Sequence, residues 1–215
     1  QMQEFFAFLQ QFFADRRANP RDDLTSALIQ AEEDGDRLSE QELFSMLFLL
    51  IVAGHETTVS LIGNAMVALW QHPDQLALLQ EKPELMKTAV EELLRYDGPV
   101  ERAFNRWTAE EVEIGGETLP KGSIVIPIIS AANRDPRKFD NSEKLDVTRA
   151  PNPHMAFGKG VHYCVGAPLA RLEAEIALAT LLRRLPDMQP AVPLDQLRWR
   201  TAPMFRSLEA LPVTW

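Results

Sequence analysis

The chain has 215 residues, 46% of them hydrophobic and 25% charged, enough apolar material for a sizeable core in one or two domains. A net charge of −9 argues against broad binding to nucleic acid or to anionic membranes and suits a soluble acidic protein. The single cysteine excludes an internal disulfide, and with it a disulfide-stapled secreted scaffold.

The opening "QMQEFFAFLQQFFADRR" lacks the basic leader and small-residue cleavage site of a signal peptide. Residues 2–17 instead carry the spacing of an amphipathic helix, which "RANPRDD" breaks. "DDLTSALIQAEED" predicts a short second helix, with Glu32, Glu33 and Asp34 on a solvated face. Ser39 with Glu42 three residues on is a capping-box pattern. It opens a helix that runs to about Trp70 and stops before His72-Pro73. That helix is apolar on most faces, which predicts a central position. Its most apolar run, "LFSMLFLLIVAG", falls short of the ~20 residues a membrane span needs.

Two further helices are expected near 74–80 and 84–96, the second opened by Pro83. "VEIGGETL" reads as a hairpin around Gly-Gly, and "SIVIPIIS" as an edge strand on account of Pro127. Residues 134–155 read as loop, 167–185 as a last long helix, and the tail "LRWRTAPMFRSLEALPVTW" as strands. The sum is a mainly α fold with small β-sheets at its side.

The lone cysteine, Cys164, stands in "AFGKGVHYCVGAPLAR" among Gly158, Gly160 and Gly166, just ahead of the last helix. Glycines there allow positive φ and let the backbone approach a flat surface closely. Free amides and the dipole at a helix start favour a thiolate. Three roles are open on these residues alone: a metal ligand, a nucleophile paired with His162, or a small buried hydrophobe in a capping loop. Structural zinc fits poorly, because one Cys and four His stand in no finger spacing.

Upstream, "AGHETT" places Gly54, His55, Glu56, Thr57 and Thr58 inside the long apolar helix, where polar groups are costly without partners. A zincin His-Glu-x-x-His motif fails, since Val59 stands at the second His position. In "EELLRY", Glu92 and Arg95 share a helix face, which an exposed ion pair would also explain. His72 reads as a helix-end residue, and His154 as a loop hydrogen-bonder.

The pattern Phe157-Gly158-x-Gly160-x-His162-x-Cys164-x-Gly166 resembles the haem-binding loop of the cytochrome P450 (haem-thiolate monooxygenase) superfamily, and "GAPLARLEAEIAL" resembles its soluble bacterial members. The resemblance implies haem b (iron protoporphyrin IX) with Cys164 as axial iron ligand. It implies His162 as a donor to a haem propionate and Phe157 beside the thiolate. Glu56 and Thr57 then match the family's acid–alcohol proton relay, with Gly54 leaving room for oxygen and substrate. Glu92 and Arg95 match its Glu-x-x-Arg pair, which is completed by an arginine of the later loop; Arg134 lies in the corresponding stretch. Arg106, ahead of the hairpin, matches the family's propionate-binding arginine, while Arg102 is unusual and is expected to face solvent. Val100, Ala103 and Phe104 are apolar candidates for the substrate pocket.

The resemblance runs through residues 1–215 in family order but covers only the C-terminal half of the usual length. The expectation is one haem-binding portion of a P450 domain without its N-terminal half, exposing apolar surface open to a complementary half or to self-association. The implied activity is hydroxylation or epoxidation of a small apolar organic substrate in the cytoplasm. Electrons would come from NAD(P)H through a ferredoxin-type donor and its reductase. Two alternatives stand beside it: a non-catalytic half-protein or interaction module, and a thiol-dependent hydrolase or transferase using Cys164.

Overall fold

The computed structural model describes residues 2–31 and 38–215; the acidic run Glu32-Glu33-Asp34 lies outside the described residues. Seven helices and six short strands follow one another within them. They are α1 (Met2–Ala18), α2 (Leu24–Ala31), α3 (Glu40–Gln71), α4 (Pro73–Glu81), α5 (Met86–Asp97), β1 (Arg106–Trp107), β2 (Val112–Ile114), β3 (Glu117–Leu119), β4 (Ile124–Val125), α6 (Ile129–Ala132), α7 (Ala167–Arg184), β5 (Gln189–Pro190) and β6 (Val213–Thr214). The chain divides into two compact units, residues 1–55 and 56–215.

In the first unit Leu9, Phe13, Ile29, Leu43 and Leu47 form a small buried cluster. Phe6 stacks on Phe44 with ring centroids 4.1 Å apart. Arg16 donates to Asp23 at 2.7 Å, and the Asp23 carboxylate in turn accepts the Ser26 amide at the start of α2. The capping box at the start of α3 forms as the spacing implies. The Glu42 carboxylate accepts both the amide and the hydroxyl of Ser39, at 2.8 and 2.7 Å, and Ser39 Oγ accepts the Glu42 amide at 3.3 Å.

The second unit holds the main core, where Leu61, Ala65, Met66 and Leu69 pack with Leu79, Ala89, Val90, Leu93, Leu94, Val147, Ala174 and Leu178. Burying each such Leu or Val stabilises the fold by roughly 1.5–3 kcal/mol. Helices α5 and α7 lie against each other. Helix α3 is less central than its composition suggests: Leu49, Ile51, Val52 and Val59 are exposed, and continuous burial begins near Leu61. By length and composition α3 could cross a membrane. Its C-terminal part instead forms protein core around the fully buried Asn64, whose amide donates to the carbonyls of Asp97 and Arg206.

The sheets are three antiparallel pairs, β1–β4, β2–β3 and β5–β6. Gly115 and Gly116 make the β2–β3 turn with φ of 63° and 87°, the left-handed pair a tight hairpin requires. Pro127 confines β4 to two residues, though its carbonyl still accepts the Ala103 amide at 2.9 Å. Arg102 is half-buried and bridges Ile128, so it does not project freely into solvent. The tail holds only β6 and isolated bridges at Phe205 and between Trp199 and Leu208, where its alternation predicts longer strands.

Candidate functional site

Residues 157–164 form a closed loop. The Cys164 amide donates to the Phe157 carbonyl at 2.9 Å, so the two ends of the loop are tied together. Between them Gly158 and Gly160 have φ of 72° and 79°, and a 3-10 turn covers Gly160–His162. A Cβ on Gly160 would meet nothing within 4 Å among the described residues, so that glycine serves backbone conformation and not packing against the protein. Helix α7 starts at Ala167, three residues past the cysteine, and Cys164 offers it a carbonyl: Ala167 N–H donates there at 3.2 Å.

Cys164 is exposed, which removes the reading of a small buried hydrophobe. Its apolar neighbours Val161 and Val165 are 98% and 87% exposed, an unusual cost for a loop so tightly built. No hydrogen bond joins His162 to the thiol among the described residues, so the Cys–His nucleophile lacks its base. His162 and Arg106 are both exposed, and neither has an ion pair among the described residues. Among the described residues the Arg106 guanidinium makes only 3.5 Å contacts, to the carbonyls of Phe104 and Asn105, at the outer limit of bonding. One exposed soft ligand, glycine clearance, apolar flanks and the exposed His162 in the loop fit a flat, apolar metal complex.

A buried polar network centres on Glu92 and Arg95. Glu92 and Arg95 are 0% and 1% exposed. The five N–H donors of Arg95 reach both oxygens of Glu92 at 2.8 Å and the carbonyls of Asn133, Ser142 and Lys144 at 2.8–3.0 Å. Glu92 also accepts from the Asp146 amide, Arg149 Nε and Asn152 Nδ2. Residues 134–155 lack regular structure, so their buried backbone groups need such partners. The assignment of Arg134 to this network is corrected: Arg149 completes it, at 3.0 Å from Glu92. Arg134 turns to the Tyr96 carbonyl at 2.7 Å and to Glu143 at 2.6 Å, with its guanidinium over the Tyr96 ring. It leads directly out of α6, where its side chain reaches the end of α5 but not the buried carboxylate.

A second network stands beside the first. Glu91 accepts a fork from Arg171 at 2.6 and 2.9 Å and a bond from His154 Nε2 at 2.9 Å. Burial alone would push the Glu91 carboxyl up, but these bonds outweigh it and hold it at about 2, below the ordinary 4.5. The carboxylate contribution is therefore fully present above the ordinary value and is lost as pH falls from about 4.5 toward about 2. In Glu91→Gln the stability lost between about pH 6 and about pH 3 is expected to be smaller by about 1–2 kcal/mol, allowing for solvent screening of a half-buried group. Urea unfolding at the two pH values checks this; equal losses in both proteins would contradict it.

Glu56, Thr57 and Gly54 all lie on α3. Ser60 Oγ donates to the Glu56 carbonyl at 2.7 Å, and a Cβ on Gly54 would stand in open space among the described residues. The Glu56 carboxylate pairs with Arg200 at 2.7 Å, a partner from the far end of the sequence that no local pattern signals. Glu91, Arg149 and Arg171 likewise carry no motif of their own; only their position beside Glu92, the loop and "LAR" could have drawn attention. Phe104, in the expected pocket-lining stretch, is 67% exposed. A separate cavity of about 360 Å³ is lined by Asp97, Glu101, Arg134 and Arg206 and includes none of the cysteine loop. Burial raises the Asp97 carboxyl there despite its Arg206 partner.

A mostly helical fold, a glycine loop presenting one exposed thiol and a buried Glu-x-x-Arg network are the features of a haem-thiolate protein. The chain belongs to the cytochrome P450 family: the family model described as Cytochrome P450 matches residues 1–191. It is 52% identical over 206 residues to Cytochrome P450 107B1 of Saccharopolyspora erythraea, covering 96% of this chain and 51% of that protein. It is 49% identical over 213 residues to the polyketide biosynthesis cytochrome P450 PksS of Bacillus subtilis, covering 99% and 53%. The solved structure of the latter superposes with a TM-score of 0.93 at 48% identity, over 99% of this chain and 55% of that one. The chain thus spans about half the length of the curated relatives it matches. The family's cofactor is haem.

Proposed function

We propose that residues 1–215 are the haem-binding portion of a bacterial haem-thiolate monooxygenase that hydroxylates or epoxidises an apolar organic molecule. The exposed Cys164 thiol, in a loop closed on Phe157 and flanked by exposed apolar residues, carries this reading. Haem would supply the O2 chemistry when bound, one oxygen atom going to the substrate and the other to water with two electrons from the redox partner and two protons. Cys164 Sγ holds the iron as a thiolate donor. Arg106 and His162 donate to the propionates, a role suited to exposed donors without carboxylate partners. Gly158, with its positive φ, would let the loop backbone approach a bound haem, and Phe157 would pack beside the thiolate. Glu56 takes protons from solvent at its carboxylate and passes them to Thr57 Oγ1, and Gly54 leaves space for the substrate.

Electrons come from NAD(P)H through a ferredoxin-type donor and its reductase, and the protein works in the cytoplasm. A relative named for polyketide biosynthesis supports a small apolar organic substrate, of the polyketide kind. The test is a CO-difference spectrum of the haem-loaded chain: a thiolate-type long-wavelength Soret band is expected, and its absence would refute the ligand assignment. In the protein supplied with electrons, Thr57→Ala is expected to lower product formed per NAD(P)H roughly ten-fold, with hydrogen peroxide released instead. Full coupling in that variant would remove Thr57 from the relay.

A further inference from the structure

We infer that Arg171, locked by Glu91, is the positioning residue of the cysteine loop and sets how Cys164 presents its sulfur. The argument begins with what Arg171 touches. Its Nη1 donates to Tyr163 OH at 3.1 Å, next to Cys164 in sequence. Its guanidinium lies 4.4 Å from the centre of the Phe157 ring, at the other end of the same loop. One planar cation therefore grips both ends of the segment that the Cys164–Phe157 hydrogen bond closes. The remaining donors, Nε and Nη2, are held by the two oxygens of Glu91 in a fork. The side chain is thus fixed in orientation by α5 while it reaches from α7 to the loop.

Glu91 also fixes the approach to the loop. The Ala156 amide donates to His154 Nδ1 at 3.2 Å, so the proton on the ring sits at Nε2, which donates to Glu91. The Met155 amide is tied to Asn133 Oδ1 at 2.7 Å, and Gly158 N–H closes a turn on the Met155 carbonyl at 2.8 Å. Neighbouring carboxylates on α5 so divide the work. Glu92 serves the irregular segment before the loop, and Glu91 serves the loop itself. An exposed thiol between glycines has little packing of its own to fix it. Its placement has to come from the loop ends, and those are what Arg171 holds.

The experiment is amide hydrogen exchange on the full 215-residue chain with Arg171→Gln, Arg171→Lys and Glu91→Gln. All three are expected to speed exchange at the Cys164 amide by roughly ten- to a hundred-fold, the weight of lost charge-assisted bonds, while exchange in α4 stays unchanged. Lysine keeps the charge but cannot reach Glu91, Tyr163 and the Phe157 face at once, so it does not rescue. Unchanged exchange at Cys164, an equal rise throughout α4 and α5, or full rescue by lysine would each overturn the inference. A second readout rests on the proposed function: with haem and CO, Arg171→Gln shifts absorbance from the thiolate-type to the thiol-type Soret position. An unsubstituted chain with no thiolate-type band would defeat the proposed function and leave this inference to be decided by exchange.

Discussion

Arg95→Lys is expected to unfold most of the chain under conditions where the unsubstituted protein is stable, although it preserves the charge. The reason is donor arithmetic. Arg95 uses all five N–H donors, two on Glu92 and three on backbone carbonyls of Asn133, Ser142 and Lys144. An ammonium has three donors and no planar fork, so at least two buried acceptors are stranded. At about 1–3 kcal/mol for each stranded group the loss is roughly 2–6 kcal/mol, against a total stability of about 5–15 kcal/mol for an ordinary domain. Arg95→Met is expected to cost about 3–5 kcal/mol, because among the described residues it leaves the buried Glu92 charge with only Arg149 to oppose it. The pair is not a source of large net stability, since desolvation opposes its Coulomb gain. It is a fixed joint that gives a long irregular segment its backbone partners. Urea unfolding followed by far-UV circular dichroism measures the loss, and a change below about 0.5 kcal/mol in Arg95→Lys, the size of an ordinary surface substitution, would contradict this account.

The sequence made helices legible where local chemistry agrees with position. The capping box at Ser39 and the Gly-Gly hairpin each state their structure within a few residues, and each forms, whereas Pro83 opens a 3-10 turn and α5 begins only at Met86. The tail's alternation does not become a ladder: Trp199 spends its ring on the Arg206 guanidinium, 3.7 Å from the centroid, and pairs by a single bridge. The cysteine loop was legible as a motif, but its support was not. Glu91 finds Arg171 and His154 across 80 and 63 residues, and Glu92 finds Arg149 across 57. Contacts at that distance leave no periodic trace, and so Arg134, nearer in sequence, took the place that belongs to Arg149. Arg200 was hidden for the same reason: its partner Glu56 lies 144 residues away.

Cys164→Ser is expected to leave the fold intact and to abolish the thiolate-type Soret band completely. Ordinarily a glycine-rich loop with one cysteine presents a confounded test, because removing the side chain also removes packing. Here the two effects separate. Cys164 is exposed, and the hydrogen bonds that close its loop run through its own backbone, amide to Phe157 and carbonyl to Ala167. Serine keeps both, so unfolding stability should change by no more than about 0.5 kcal/mol. What serine cannot supply is a soft sulfur that ligates iron as a thiolate, whereas a hydroxyl is a hard donor that stays protonated. The electron donation that marks a haem-thiolate complex therefore ends with the sulfur. A retained thiolate-type band in Cys164→Ser would mean that another group ligates the iron. A large loss of stability would mean that the sulfur packs against the protein after all, and that its exposure does not describe its role.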